Sequence, residues 1–218
     1  DILDALGMKT HPISIEEARA NYEFAVRYCD ANKSDCSIWR GMLMASDHIA
    51  SAMESKVKIP LNHLFVKPDL SFYNRENSLY PLSQISTDSP KKYTIVTAPT
   101  GAGKTDFLLR RCRGRVFYVL PFQASINAMY DRIKKDLSDT DAQVSLLHSA
   151  SNLKVKDGTL EESIMQRFVG SSVKVMTPHQ MASIVFGIKG YESMAMDMKG
   201  CDVILDEIHT YSDVIQSI

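Results

Sequence analysis

An excess of charge of either sign is missing from this sequence: 25 lysines and arginines stand against 26 aspartates and glutamates, a formal net of −1. A protein-wide field that gathers nucleic acid is therefore excluded, and any such partner has to be held by local groups. Cysteine is sparse too. Cys29, Cys36, Cys112 and Cys201 are scattered without a C-x-x-C pair, which argues against a zinc or disulfide framework and for reduced thiols. No apolar run approaches the roughly 20 residues that a membrane helix needs, and no signal peptide precedes the first helix, so a cytoplasmic location without a membrane partner is the default expectation. The chain opens at Asp1 rather than methionine and stops at "VIQSI". An excerpt of a longer protein is expected.

What is present is the composition of an ordinary globular protein, 44% hydrophobic and 23% charged over 218 residues. That length allows one large α/β domain, or a domain of about 130 to 150 residues with a smaller neighbour. Ser14 and Glu17 form a capping box ahead of Ala18, Tyr22, Ala25, Val26 and Cys29, which predicts an amphipathic helix over 14–30. A second helix is expected over 36–54, with Trp39, Met42, Leu43, Ile49, Ala50 and Met53 as its apolar stripe. From 55 to about 92 periodicity disappears among Pro60, Pro68, Pro81 and Pro90, the mark of a connecting segment.

The rhythm then changes. "YTIV" (93–96), "VFYVL" (116–120), "VSLL" (144–147), "VKVM" (173–176) and "DVIL" (202–205) are short apolar runs. Helical patterns separate them at 104–113, 123–138, 159–169 and 178–187, with a helical or loop stretch up to 199. Thr159 with Glu162 reads as another capping box, and Thr177 followed by Pro178 as an N-cap with proline at the first helical position. Strands apolar on both faces, alternating with helices, predict a doubly wound parallel sheet.

The chemistry gathers in two places. In "TAPTGAGKT", 97–105, Gly101 and Gly103 let the backbone turn tightly enough that Thr100, Gly101, Ala102 and Gly103 aim their N–H groups at one phosphate group. Lys104 then adds a point charge. Thr105, in the first helical turn, offers a hydroxyl to Mg²⁺ where the helix dipole favours anions. Further on, "VILDEIHTY", 203–211, delivers two carboxylates from the end of a buried strand. Asp206 suits an octahedral Mg²⁺ bound to a nucleotide, Glu207 suits the orientation or deprotonation of an attacking water, and His209 suits sensing of the γ-phosphate. ATP and Mg²⁺ are the expected cofactors.

With alanine at position 98 where the usual phosphate-loop pattern has its first glycine, "APTGAGKT", "LPFQASINAMYDRI", "VMTPHQM" and "DEIH" resemble motifs I, Ia, Ib and II of the superfamily 2 helicases of the DExH type. The resemblance implies a RecA-like P-loop domain over 93–218, incomplete without a second RecA-like domain and its arginine finger. Without that finger a P-loop site binds Mg·ATP but hydrolyses it about 10³-fold or more slowly. Gln84 in "YPLSQ" resembles the Q motif that reads adenine. Pro121, Phe122, Gln123, Asn127, Thr177, Pro178 and His179 match the places where single-stranded nucleic acid crosses the sheet edge, through contacts that do not read bases.

More finely, the sequence is similar to the helicase-nuclease subunit of type I CRISPR systems, in which an HD phosphohydrolase domain precedes the helicase. "WRGMLMASDHIASA", 39–52, resembles the last helix of that domain. The resemblance implies a domain tail over 1–55, a lead-in over 56–92, and Asp47, at the edge of the Leu43–Ala50 stripe, as one ligand of a nuclease transition metal, with His48 on the opposite side. The His-Asp pair that carries most of such a metal site is absent from these residues. It also implies single-stranded DNA and a guide-RNA surveillance complex as partners in antiviral defence, DNA over RNA resting on the resemblance alone. The rivals are an RNA helicase without a nuclease and an ATP-binding scaffold. The densest basic patch, Arg110, Arg111, Arg113 and Arg115, reads as a solvated loop rather than a nucleic-acid track.

Overall fold

The computed structural model describes residues 11–31, 37–53, 64–147, 170–186 and 191–217. The helix and capping box expected over 159–169, and Cys36, lie outside them. The chain divides into two compact units, 1–36 and 37–218.

The first unit holds helix α1, Ile15–Ala31. Its capping box forms reciprocally: Glu17 N–H donates to Ser14 Oγ at 3.1 Å and Ser14 N–H to Glu17 Oε2 at 2.8 Å. Its apolar side chains, Tyr22 and Phe24 among them, are exposed.

In the second unit, α2 (Ile38–Met53) packs against α6 (Tyr191–Met198). The buried face differs from the one expected. Gly41 and Ala45 turn inward, whereas Trp39, Met42 and Leu43 are exposed. The reason is close approach: a Cβ at Gly41 would stand 2.7 Å from the Glu192 carbonyl oxygen, so only the side of α2 lined by its smallest residues admits a neighbouring backbone.

Four parallel strands make the sheet: β1 (Val116–Val119), β2 (Val144–Leu147), β3 (Val173–Met176) and β4 (Asp202–Leu205), in the order β2-β3-β1-β4. Between and after them run α3 (Lys104–Arg111), α4 (Gln123–Asp136), α5 (Pro178–Val185), α6 and a last turn α7 (Asp213–Gln216). Val116, Tyr118 and Leu120 face one layer with Leu109, Ile126, Ile133 and Val175, while Phe117 and Val119 face the other with Met176 and Tyr211. Burial on both faces is what a parallel sheet requires. This mixed α/β unit with its all-parallel sheet is consistent with a RecA-like domain. Among the described residues no helix is long and apolar enough to cross a membrane.

The run at 93–96, expected as the first strand, is not one: it joins no sheet among the described residues, with Tyr93 79% and Ile95 95% exposed. Its approach is held from the side instead. Arg111 donates to the carbonyls of Ser89 (2.8 Å) and Lys91 (2.6 Å) and to Thr94 Oγ1 (3.4 Å). The open edge of β4 leaves Val203 and Leu205 exposed.

Candidate active site

The phosphate loop is built by two left-handed glycines. Gly101 (φ 82°) and Gly103 (φ 88°) occupy a region that favours glycine, and Ala102 N–H closes the turn onto Pro99 O at 3.3 Å. The space in front of Gly101 is open, whereas a Cβ at Gly103 would press on Tyr80 Cβ at 3.1 Å. Gly103 starts α3 with no side-chain cap, so, among the described residues, no capping side chain competes there with an anion. Lys104 Nζ donates to its own loop's carbonyls, Ala98 O at 2.9 Å and Pro99 O at 3.4 Å. Its charge therefore sits over the loop, with these carbonyls to exchange for phosphate oxygens.

The second half comes from β4. Its in-register pairing with β1 carries Leu205 level with Val119, and Asp206 N–H extends the ladder to Val119 O at 3.0 Å. Asp206 is half-buried and held at both oxygens: Tyr118 Oη donates to Oδ2 at 2.7 Å and Glu207 N–H to Oδ1 at 3.0 Å. The Thr105 side chain stands near the same phenol and acts on it in the opposite sense to burial. Burial, followed by the Asp206 carboxylate, pushes the Tyr118 phenol well above its ordinary range, so it remains a donor. Burial raises Tyr211 as well, and its hydroxyl braces Val119 O at 3.1 Å.

Glu207 leaves the strand in a left-handed conformation (φ 52°). A non-glycine residue there stores strain of order 1–3 kcal/mol, a cost met at functional turns. Thr210 stabilises the turn, its N–H and Oγ1 reaching Glu207 O at 2.9 and 2.8 Å. The Glu207 carboxylate is thereby turned out to solvent, 3.5 Å from His209 Nε2, and His209 is itself exposed.

The Asp206 carboxylate accepts from Tyr118 and the Thr105 hydroxyl stands near it; both offer the hard oxygen donors that fit Mg²⁺. Around Asp47 the described residues show no comparable donor set. Asp47 is exposed on α2, the side chains of His48 and Ala50 lie outside the described residues, and among the described residues no three His, Cys, Asp or Glu side chains converge.

Gln84 ends an exposed turn, Pro81–Gln84, whose neighbours touch the phosphate loop: Leu82 N–H donates to Ala102 O at 3.2 Å. Arg110 fastens that turn to α3, donating to Leu82 O (2.9 Å), Ser83 O (2.6 Å) and Ile85 O (2.6 Å). The arginines expected as a solvated loop are thus tethers. Arg115 goes further and is buried, paired with Asp197 at 2.7 Å. Carbonyl oxygens and a buried carboxylate take the place of water.

The loops expected to meet nucleic acid lie side by side, because Leu120 N–H bonds to Met176 O at 3.1 Å just before both loops begin. Phe122 is 58% exposed in an extended conformation at the start of α4; Gln123 and His179 are exposed, Pro121, Asn127 and Thr177 half-buried, and Pro178 buried. Thr177 caps α5 in a full capping box with Gln180. Sequence reasoning missed Tyr118, which read as one more apolar residue of a strand. The signal was there, since a phenol in the middle of a buried strand needs a partner for its hydroxyl.

A family profile of the DEAD/DEAH box helicases matches residues 82–217. The chain is 30% identical over 141 residues to the "CRISPR-associated nuclease/helicase Cas3" of Methanothermobacter thermautotrophicus, covering 59% of this chain and 17% of that protein. It is 26% identical over 162 residues to a protein of Methanocaldococcus jannaschii that carries the same name provisionally, covering 65% and 22%. The chain therefore spans about a fifth of the length of these curated relatives. No solved structure matches it significantly. A glycine-built phosphate loop and an Asp-Glu pair, brought to one end of a parallel sheet within a profile match that covers more than half of the residues, place this chain in the DEAD/DEAH box helicase family, as a segment like the helicase part of the Cas3 nuclease/helicases.

Proposed function

We propose that this chain is the ATP-binding half of a motor that moves along single-stranded DNA and is coupled to a metal-dependent nuclease in CRISPR defence. One observation carries the reading: the Tyr118 phenol donates to the Asp206 carboxylate at the end of β4 and has Thr105, at the start of α3, beside it, so the two residues suited to Mg²⁺ are neighbours. When bound, Mg²⁺ would neutralise charge on the β- and γ-phosphates. Lys104 would exchange Ala98 O and Pro99 O for phosphate oxygens, with the N–H groups of Thr100, Gly101, Ala102 and Gly103 around them. Glu207 would orient the attacking water from its solvent-facing position, His209 beside it would pass the state of the site to the nucleic-acid side, and Gln84 would read adenine.

Single-stranded DNA would run over Pro121, Phe122, Gln123, Asn127, Thr177 and His179, with Phe122 free to stack on a base. Pro178 contributes by starting α5. The CRISPR setting, with a guide-RNA surveillance complex as recruiter and a nuclease as companion, rests on the names of the relatives. Asp47 stands as a candidate ligand of that nuclease's metal, with no ligand set around it among the described residues, and no step is assigned to it.

The test is the ATPase rate of the full-length protein alone, with single-stranded DNA, and with single-stranded RNA, using Lys104→Ala as the blank. Stimulation by DNA that vanishes in the blank is expected. Stimulation by RNA alone would replace the reading by an RNA helicase, and nucleotide binding untouched by either polymer would replace it by a scaffold.

A further inference from the structure

We propose that Tyr118 is a positioning residue for Mg²⁺, holding the Asp206 carboxylate in the one orientation that leaves its outward lone pairs free for the ion. The proposal rests on the nucleotide-site reading above and names a residue that the phosphate-loop and Asp-Glu motifs do not contain.

Tyr118 is fully buried in the middle of β1. Parallel register sets it level with Ile204, and its hydroxyl reaches beyond Leu205 to Asp206 Oδ2 at 2.7 Å. The other oxygen is taken by Glu207 N–H at 3.0 Å. One donor on each oxygen fixes the carboxylate plane, and each oxygen keeps lone pairs for a ligand. A phenylalanine at 118 would fill the same space but leave Oδ2 without its donor and the carboxylate free to turn. Thr105, the other residue suited to Mg²⁺, stands near the same phenol. Such outer partners of metal-ligating carboxylates are worth about 10–100-fold in metal affinity.

A purely structural role, the simple satisfaction of a buried phenol, predicts something different, and Mg²⁺ dependence separates the two. In the full-length protein, ADP binding is titrated by calorimetry with and without Mg²⁺ for the parent, Tyr118→Phe and Asp206→Asn. The parent is expected to bind ADP more tightly with Mg²⁺. Tyr118→Phe should raise the Mg²⁺ concentration for half-maximal tightening about 10-fold while leaving Mg²⁺-free ADP affinity unchanged, and Asp206→Asn should remove the tightening. An unchanged Mg²⁺ midpoint in Tyr118→Phe, or an equal loss with and without Mg²⁺ in a folded protein, overturns the proposal. Should Tyr118→Phe not fold, 3-fluorotyrosine at 118 keeps the shape and alters donor strength; a shifted Mg²⁺ midpoint supports the role and an unmoved one overturns it. If the parent itself shows no Mg²⁺-dependent binding, the nucleotide-site reading fails, an outcome distinct from failure of Tyr118.

Discussion

The two ends of the sheet treat charge in opposite ways. At the amino end Asp197 is fully buried and saturated: Arg115 pairs with Oδ1 at 2.7 Å, Lys174 Nζ with Oδ2 at 2.6 Å, and Gly170 N–H donates to Oδ1 at 2.8 Å. Arg115 also donates to Ser171 O and Asp197 O and lies over the Phe65 ring. At the carboxyl end Lys104 rests on loop carbonyls, Glu207 sits in a strained conformation facing water, and His209 is exposed. Closed and open charges serve different ends. A network closed on all sides holds strands together, whereas groups left partly open are the ones that can take a ligand.

The largest effect should come from breaking the closed end. Asp197→Ala leaves two buried cations without a counter-charge, and the loss of a buried partner costs about 3–5 kcal/mol. Amides of β1 and β3 should lose hydrogen-exchange protection by that amount, and unchanged protection would show that the clamp is dispensable. At the open end the sign reverses. Glu207→Gly relieves the left-handed strain and should stabilise the chain by about 1 kcal/mol while abolishing hydrolysis; a destabilised or fully active variant would contradict the assignment of that turn to function.

The smallest effect sharpens the contrast between buried and open groups through the thiols. Burial, then the charge of Asp202, pushes Cys112 from 9.0 up to about 12. Its folded value is raised, so the stability it contributes is complete below about pH 9 and is lost as pH rises toward 12. Iodoacetamide at pH 8 should therefore label exposed Cys29 first and Cys112 last among the described cysteines, as peptide mass spectrometry would quantify. Equal rates would mean that α3 opens readily.

What could be read beforehand follows the range of the interactions. The starts of α1 and α5 were legible because Ser14 with Glu17 and Thr177 with Pro178 are signals local to a few residues. The four strands were legible as short apolar runs, and the carboxyl edge followed from their order. The run at 93–96 had the same local pattern, but pairing is decided by a neighbour elsewhere in the chain, and Arg111 claims its approach instead. Arg115 looked solvated because its partner Asp197 is 82 positions away, and Tyr118 looked inert because Asp206 is 88 away. The inward face of α2 was misjudged for a different reason: stripe reasoning follows large apolar residues, while Gly41 packs through what it lacks.

On this reading the carboxyl end performs chemistry that the fold does not depend on. Measuring ATP hydrolysis and β-strand hydrogen exchange on Lys104→Ala in the full-length protein tests both halves at once. Hydrolysis should fall about 10²–10³-fold with strand protection unchanged, and hydrolysis at the parent's rate would show that this loop is not the site.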